Sequence, residues 1–111
     1  MHEMSLCQNI VAIVAEHAHD QKVARVRLEI GAFSSVMPEA LEFCFDVVAK
    51  GTVLEGAVLE IIEIKGRARC QACGKEMDLT SQFDICSCGS SDIERFHGDE
   101  LKIKEMELAA V

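Results

Sequence analysis

The sequence predicts an α+β fold in which two helices pack on a small antiparallel three-stranded sheet, with a cysteine-rich segment inserted into that domain. Three observations support this prediction. Apolar residues recur at helical spacing in two stretches, they follow strand spacing in three others, and four of the six cysteines lie between residues 70 and 88. The 111 residues suffice for one such domain and a small appendage.

Two stretches have the periodicity of amphipathic helices. The first, residues 3–18, has these residues on one face, at spacings of three and four: Leu6, Ile10, Ile13, Val14 and His17. The second begins at Pro38, a residue suited to the first turn of a helix, and Gly51 follows its last turn. Both helices are therefore predicted to bury one apolar face.

Three stretches have strand character. Residues 23–30 alternate between apolar and charged, which predicts a strand with one face in water. Residues 58–64 are almost continuously apolar and β-branched, which predicts a central strand. In residues 101–108 the apolar positions change parity, so we expect a bulge or a sharp twist near Lys104 and Glu105.

The last strand determines the predicted domain organisation. A lone C-terminal strand needs a sheet, and the strands that it can join precede the cysteines. We therefore expect one α+β domain from residues 1–66 and 98–111. The segment 67–97, which is poor in aliphatic residues, is then inserted into it.

The clustered cysteines have the spacing of a metal site. Cys70 and Cys73 form a Cys-x-x-Cys pair, and after twelve residues Cys86 and Cys88 form a tighter Cys-x-Cys pair. Four thiolates at ~2.3 Å complete the tetrahedron that Zn²⁺ prefers, which leaves no position for a catalytic water. The pattern thus predicts a structural site in a zinc-ribbon-like domain, without enzymatic activity.

Two other interpretations of the cysteines remain open. The four thiols could stay free or buried without metal. A redox Cys-x-x-Cys is the other alternative, but it usually begins a helix in a βαβ setting, which the residues after Cys73 do not indicate. Cys7 and Cys44 lie apart from the cluster, inside the helical patterns, and are interpreted as small apolar residues.

The first three residues could form a second metal site. The amine of Met1, the amide nitrogen and imidazole of His2, and a donor from Glu3 can surround one ion in adjacent chelate rings. Nitrogen-rich, square-planar coordination suits Ni²⁺ or Cu²⁺. The positive end of the helix dipole opposes a cation there. From these residues alone an ordinary chain terminus is the commoner explanation.

Charge and hydropathy disfavour several classes of partner. The formal net charge is −8, and no cluster of basic residues stands out that could neutralise nucleic-acid phosphates. No apolar run approaches the ~20 residues of a membrane-spanning helix. The N-terminal residues do not have the pattern of a signal peptide. We therefore expect a cytoplasmic protein that binds neither nucleic acid nor membrane.

Several segments together resemble the HypA/HybF family of hydrogenase nickel-incorporation proteins. They are Met1-His2-Glu3-Met4-Ser5-Leu6, Arg27-Leu28-Glu29-Ile30-Gly31, Pro38-Glu39-Ala40-Leu41, Gly51-Thr52, the two cysteine pairs, Cys88-Gly89-Ser90 and Gly98-Asp99-Glu100-Leu101. The resemblance covers nearly the whole chain. Its most specific feature is an N-terminal Met-His-Glu combined with a downstream four-cysteine motif.

The resemblance implies a nickel metallochaperone that delivers Ni²⁺ to the large subunit of [NiFe]-hydrogenase with the GTPase HypB. Some members of the family also serve urease. His2 is then the key nickel ligand, with Met1 and Glu3 contributing. The four clustered cysteines match the family's zinc ligands, although two residues normally separate the second pair there. The alternative is a zinc-ribbon module that binds protein or nucleic acid without a nickel role.

The remaining histidines are weaker candidates. His97 is the histidine nearest to the cysteines in sequence, and it is a candidate auxiliary metal ligand or a surface residue. His17 and His19 lie near the end of the first predicted helix, where the dipole favours an imidazolium. We interpret these two as structural.

Overall fold

The computed structural model describes residues 3–110, which form two helices and six strands. In chain order the elements are α1 (Glu3–Ala18), β1 (Val23–Gly31), α2 (Pro38–Ala49), β2 (Val58–Ile64), β3 (Gly66–Cys70), β4 (Glu76–Leu79), β5 (Ile93–His97) and β6 (Leu101–Leu108). Both helices lie where the apolar periodicity predicts them. Among the described residues, no helix is long and apolar enough to cross a bilayer.

The strands form two three-stranded sheets, with the orders β2-β1-β6 and β4-β3-β5. β6 runs antiparallel to β1. The backbone amide of Ala109 donates to the carbonyl of Lys22, and the amide of Gly31 donates to the carbonyl of Glu100, both at 2.8 Å. β3 pairs antiparallel with both β4 and β5. The predicted α+β class, with two helices, small sheets with antiparallel pairing and an inserted cysteine-rich segment, is confirmed.

The predicted central position of residues 58–64 is wrong. β2 lies at an edge of its sheet, where Val58 is 53% exposed, and β1 is the central strand. β1 alternates because one of its faces is buried while the arginines on the other pair with a carboxylate. Arg25 and Arg27 both contact Glu60 on β2. When one face of a sheet is in water, even its central strand needs apolar residues on one side only, so an alternating sequence is sufficient.

The helices bury slightly different faces from the predicted ones. The fully covered apolar residues of α1 and α2 are Cys7, Ile10, Val11, Val14, Ala18, Leu41, Phe45 and Ala49. Ile13 and His17, which the periodicity placed on the buried face of α1, are exposed. The ring nitrogen Nδ1 of His17 lies 2.9 Å from the carbonyl oxygen of Ile13, one turn earlier. The small residues Cys7 and Ala18 are among the buried residues instead.

The contacts divide the chain into two compact units. The first contains the described residues up to Leu28, Ser35–Ile62 and the residues from Lys102 onward, and the second contains Glu29–Ser34 and Glu63–Leu101. Within the second unit, the ring of Phe33 lies against Gly66 and Gly98, where an added Cβ would meet it at 2.2 and 2.9 Å. The Phe33 amide also donates to the Gly98 carbonyl at 2.7 Å. These contacts attach residues 29–34 to the cysteine-containing unit.

Candidate metal centre

Four cysteine side chains converge in the second unit. Cys70 ends β3, Cys73 follows in the next turn, and Cys86 and Cys88 lie in a turn between β4 and β5. Their sulfur atoms all lie within 4.8 Å of one another. Two of these separations join the pairs crosswise, with 3.6 Å from Cys70 to Cys88 and 3.6 Å from Cys73 to Cys86.

These distances fit a single tetrahedral ion. Four sulfur atoms at 2.3 Å from a zinc ion are separated by about 3.8 Å along each edge of the tetrahedron. A disulfide needs sulfur atoms about 2.05 Å apart, and all four cysteines are free. Cys70 and Cys86 are buried, whereas Cys73 and Cys88 are exposed. The donor set and its geometry therefore fit a structural zinc ion.

Two tight turns present the sulfur atoms. In the first, the amide of Gly74 donates to the carbonyl of Cys70, and the amide of Cys70 donates to Lys75. In the second, the amide of Gly89 donates to Cys86, and the amide of Cys86 donates to the carbonyl of Ser90. Both glycines have positive φ, at 76° and 93°. The second turn repeats the first with one residue fewer.

Backbone amides aimed at sulfur favour the thiolate form of the first cysteine in each pair. The pKa of Cys70 is lowered to about 6, chiefly by the amide of Cys73, whose nitrogen lies 3.5 Å from the sulfur. The pKa of Cys86 is lowered as well, chiefly by the amide of Cys88. Hydrogen bonding to the charged form is the cause in both cases. The turns thus favour the thiolate form at Cys70 and Cys86, two of the four ligands that a metal needs.

His97 takes no part in the four-cysteine cluster. Its Nδ1 lies 2.6 Å from Oε2 of Glu100, and the amide of Gly98 donates to the other oxygen of that carboxylate at 2.7 Å. Among residues 3–110, the cluster that could hold a metal contains cysteines alone. The His97–Glu100 pair has no signature in the sequence beyond the spacing of three residues.

The two first residues of the predicted nickel site, Met1 and His2, lie outside the described residues. Glu3 is described, and it begins α1 with a half-buried side chain. One turn further along, the thiol of Cys7 is buried and donates to the carbonyl of Leu41 at 3.3 Å. Burial raises the pKa of Cys7 to about 11, with smaller contributions from Cys44 and Glu3.

Comparison with known proteins places these features in a family. The sequence model of the family described as "Hydrogenase/urease nickel incorporation, metallochaperone, hypA" matches residues 1–108. The chain belongs to the HypA family. Proteins named hydrogenase maturation factor HypA from Trichormus variabilis and Nostoc punctiforme are 58% and 57% identical over 111 and 108 residues. These alignments cover 100% and 97% of the chain, and 98% and 96% of the relatives.

Solved HypA structures have a similar fold. A solution structure of a HypA protein has a TM-score of 0.77 at 25% identity, covering 100% of this chain and 98% of the other. The solution structure of the Ni metallochaperone HypA from Helicobacter pylori has a TM-score of 0.70, also at 25% identity, with complete coverage of both chains. The family expected from the sequence motifs is thus confirmed over the whole chain.

Proposed function

We propose that this chain is a nickel metallochaperone that binds Ni²⁺ at its N-terminus and delivers it for the maturation of [NiFe]-hydrogenase. The observation that carries the proposal is the family match over residues 1–108, which includes the N-terminal Met-His-Glu and both cysteine pairs. The family's description names nickel incorporation and a metallochaperone role. A zinc-ribbon module without a nickel role is not favoured by this match.

The proposed nickel ligands are His2, Met1 and Glu3. His2 supplies an imidazole and an amide nitrogen, Met1 supplies its amine, and Glu3 supplies an amide or a carboxylate oxygen. The position of Glu3 in the first turn of α1 supports this arrangement, because a carboxylate there offsets the positive end of the helix dipole. The site then holds nickel against an opposing dipole, which suits transfer better than storage.

Cys7 is the cysteine nearest to Glu3 in sequence, and its environment supports nitrogen and oxygen ligation at the terminus. A thiolate would compete for nickel, since soft ligands bind such ions strongly. Burial raises the pKa of Cys7 to about 11, so the thiol stays protonated near neutral pH, and it donates to the carbonyl of Leu41. The thiol therefore belongs to the packing of α1 on α2 and does not draw the ion away from His2.

The proposed zinc ligands are Cys70, Cys73, Cys86 and Cys88. Bound zinc would hold the two turns together and fix the inserted segment. With four thiolates in place, no ligand position remains for water or substrate, which supports a non-enzymatic role. Zinc thus belongs to the protein as a structural ion, while nickel is its cargo.

The proposed partners follow from the cargo. Nickel has to pass to the hydrogenase large subunit, and the GTPase HypB provides an energy source that this chain has no motif to supply. Urease maturation proteins are further proposed partners, in line with the family's description. A cytoplasmic location accompanies these partners, and the net charge of −8 opposes binding to nucleic acid or to an anionic membrane surface.

Calorimetric titration of Ni²⁺ into the zinc-loaded protein tests the nickel site. The parent should bind one Ni²⁺, and His2→Ala should lose most of the affinity because the imidazole and its chelate ring are gone. Acetylation of the Met1 amine should have a similar effect, since it converts the amine into an amide. His97→Ala is the matched control and should bind as the parent does. Unchanged affinity in both N-terminal variants would contradict the proposed site.

Duplex DNA tests the alternative module. At about 0.15 M salt, a generic duplex should show no electrophoretic shift, because the net charge of −8 opposes contact with the phosphates. Tight binding that weakens steeply with added salt would instead support the nucleic-acid-binding interpretation.

A further inference from the structure

The four sulfur atoms of the cysteine cluster differ in their access to solvent. Cys73 and Cys88 are exposed, whereas Cys70 and Cys86 are buried, with 0% and 2% of their surface accessible. Oxidation of thiolates follows exposure, so a small oxidant reaches Cys73 and Cys88 first. The two buried sulfur atoms are then the nearby thiols that can react with an oxidised one.

Each exposed sulfur atom contacts a buried one from the other turn. The sulfur of Cys73 lies 3.6 Å from that of Cys86, and the sulfur of Cys88 lies 3.6 Å from that of Cys70. A disulfide requires each pair to approach by a further 1.5 Å, roughly, because its sulfur atoms are about 2.05 Å apart. Both contacts therefore combine an accessible sulfur with a resolving sulfur, the arrangement of a redox-sensing cysteine pair.

Disulfides within the turns fit the chain less well. A bond between Cys86 and Cys88 would close a ring across one intervening residue, in a turn already held by backbone hydrogen bonds. A ring that small strains the geometry that a disulfide needs. A bond between Cys70 and Cys73 would leave that strained pair as the remaining choice. The crosswise pairs use all four thiols without closing such a ring.

We propose that the four-cysteine cluster is a peroxide-sensitive redox switch, in which oxidation forms the disulfides Cys73–Cys86 and Cys70–Cys88 and releases the zinc ion. The proposal rests on the zinc and nickel sites proposed above and assigns a regulation to the first of them. The observation that carries it is the contact of one exposed and one buried sulfur atom in each pair.

Hydrogen peroxide supplies the oxidising equivalents. The exposed thiolate of a pair attacks one peroxide oxygen, the O–O bond breaks and hydroxide leaves, so the sulfur becomes a sulfenic acid. The buried thiolate then attacks this sulfur, the S–S bond forms, the S–O bond breaks and a second hydroxide leaves. Each pair gives up two electrons to one peroxide, so about two peroxide molecules per chain convert four thiolates into two disulfides. With no thiolate left to bind it, zinc leaves as Zn²⁺.

The crosswise disulfides keep the second unit folded after zinc has left. They join residues 13 and 18 positions apart in the chain. Cross-links over loops of this length restrict the unfolded chain and so favour the folded one, whereas links within the turns would restrict it little. Since β3 ends at Cys70 and pairs with both β4 and β5, one of the two bridges also holds this sheet.

The same disulfides remove a competing site for nickel. Four free thiolates left by zinc loss would bind Ni²⁺ strongly and draw the cargo away from the proposed N-terminal ligands. The thiolate is the form of cysteine that binds metals, and a disulfide has none. The switch therefore confines nickel to the N-terminus while zinc is absent, and reduction restores the zinc ligands without refolding of the second unit.

Limited peroxide treatment of the zinc-loaded parent tests the switch. A chromophoric chelator should report release of the bound zinc in step with disulfide formation. Cys44→Ala, which changes a cysteine outside the cluster, is the matched control and should release zinc as the parent does. Zinc content is measured first, because a parent without zinc would contradict the proposed zinc site and this switch together.

Tryptic mapping of the oxidised chain tests the pairing. Trypsin cleaves after Arg69, Lys75 and Arg95, so the Cys-x-x-Cys pair lies on one peptide and the Cys-x-Cys pair on the next. Crosswise disulfides link the two peptides, whereas disulfides within the turns leave them separate. Fragmentation of the linked peptides should then place Cys73 with Cys86. Separate peptides, a bond from Cys73 to Cys88, or zinc release without disulfides would each overturn the proposal.

Two further measurements test its consequences. Amides of β3 should keep their protection from hydrogen exchange in the oxidised, zinc-free chain and lose it in the reduced chain after a chelator removes zinc. Equal loss in both would overturn the proposed stabilisation. Ni²⁺ added to the oxidised chain should show no sulfur-to-nickel charge-transfer absorption, and such absorption would reveal thiolates that the switch should have consumed. The disulfide map is measured without nickel, so a failure of the proposed nickel site would not alter it.

Discussion

The amide of Gly89 donates to the carbonyl of Cys86, three residues earlier in the chain, at 2.8 Å. The amide of Gly74 donates to the carbonyl of Cys70, four residues earlier, at the same distance. This relationship explains how a Cys-x-Cys pair joins the same cluster as a Cys-x-x-Cys pair. A turn closed over three residues replaces one closed over four. Both turns still end in a glycine of positive φ, so the sulfur atoms reach the same cluster.

Gly89→Ala should weaken zinc binding about tenfold or more. The φ of Gly89 is 93°, a region that costs an L-residue about 1–2 kcal/mol, and an added Cβ would meet no atom within 4 Å. The cost is therefore one of backbone conformation alone. Gly51→Ala is the matched control, since Gly51 also has a positive φ, 80°, and open space, but lies in the first unit. Competition with a chromophoric zinc chelator measures both, and equal affinities in the two variants would refute the argument.

Cys73→Ala should abolish stoichiometric zinc binding and unfold the second unit while α1 and α2 persist. The second unit buries few aliphatic side chains, with Ala68 and Leu79 among its core residues, so the metal has to supply much of its stability. Zinc-finger peptides draw about 10–16 kcal/mol of apparent binding free energy from the ion. Elemental analysis gives the zinc content, and the helical circular dichroism signal reports on the first unit.

Cys44→Ala is the control for this substitution, because Cys44 lies on α2 and outside the cluster. It should retain one zinc ion per chain. Full zinc content in Cys73→Ala, without thiolate coordination in X-ray absorption spectra, would rule out the proposed ligand set.

The sequence predicted those features that depend on local pattern. The bounds of α1 and the start of α2 at Pro38 follow from periodicity and turn chemistry, and the four cysteines follow from ligand spacing. The order of strands does not follow from local pattern. β2 has the more apolar sequence, yet β1 is the central strand of the sheet. One face of β1 is buried, and Arg25 on its other face pairs with Glu60 of β2.

The contact of residues 29–34 with the cysteine-containing unit does not follow from local pattern either. Phe33 packs against Gly66 and Gly98, which lie more than thirty residues away in sequence. Close approach of this kind depends on where distant backbone segments meet, and a lone glycine in the sequence does not reveal it. The exposure of Ile13 has the same origin, since only the packed structure shows which neighbours cover a helix face.

The Cys7 thiol should resist alkylation in the folded protein. With a pKa of about 11, roughly one thiol in a thousand is ionised at about pH 8, and the side chain is fully covered. Mass spectrometry after iodoacetamide treatment should find Cys44 modified before Cys7, and denaturant should abolish the difference. Rapid modification of Cys7 without unfolding would contradict its assigned environment.

Ionisation of the Cys7 thiol should lower the free energy of unfolding at alkaline pH. Its pKa is raised on folding from about 9, so its neutral form stabilises the fold fully below that value. This contribution is lost as the pH rises from about 9 through about 11. Chemical denaturation across this range should show a decline in the free energy of unfolding that Cys7→Ala reduces. An identical decline in the variant would assign the effect to other groups.

Nickel affinity should fall steeply as the pH is lowered. Protons compete with the metal at each proposed donor. Amines such as that of Met1 have an ordinary pKa near ~8 and imidazoles such as that of His2 near ~6.5. Backbone amides keep their protons at any accessible pH unless the metal displaces them. Near neutral pH, binding then releases at least about two protons, one from the amine and one from an amide. The apparent association constant should therefore fall about a hundredfold per pH unit, and more steeply once the imidazole is protonated.

Titrations in buffers of different ionisation enthalpy count the protons directly, while zinc content is followed to show that the cysteine site remains loaded. A chain acetylated at Met1 should release fewer protons, because its first donor is lost. Release of one proton or none by the parent would exclude a site built on the amine and amides.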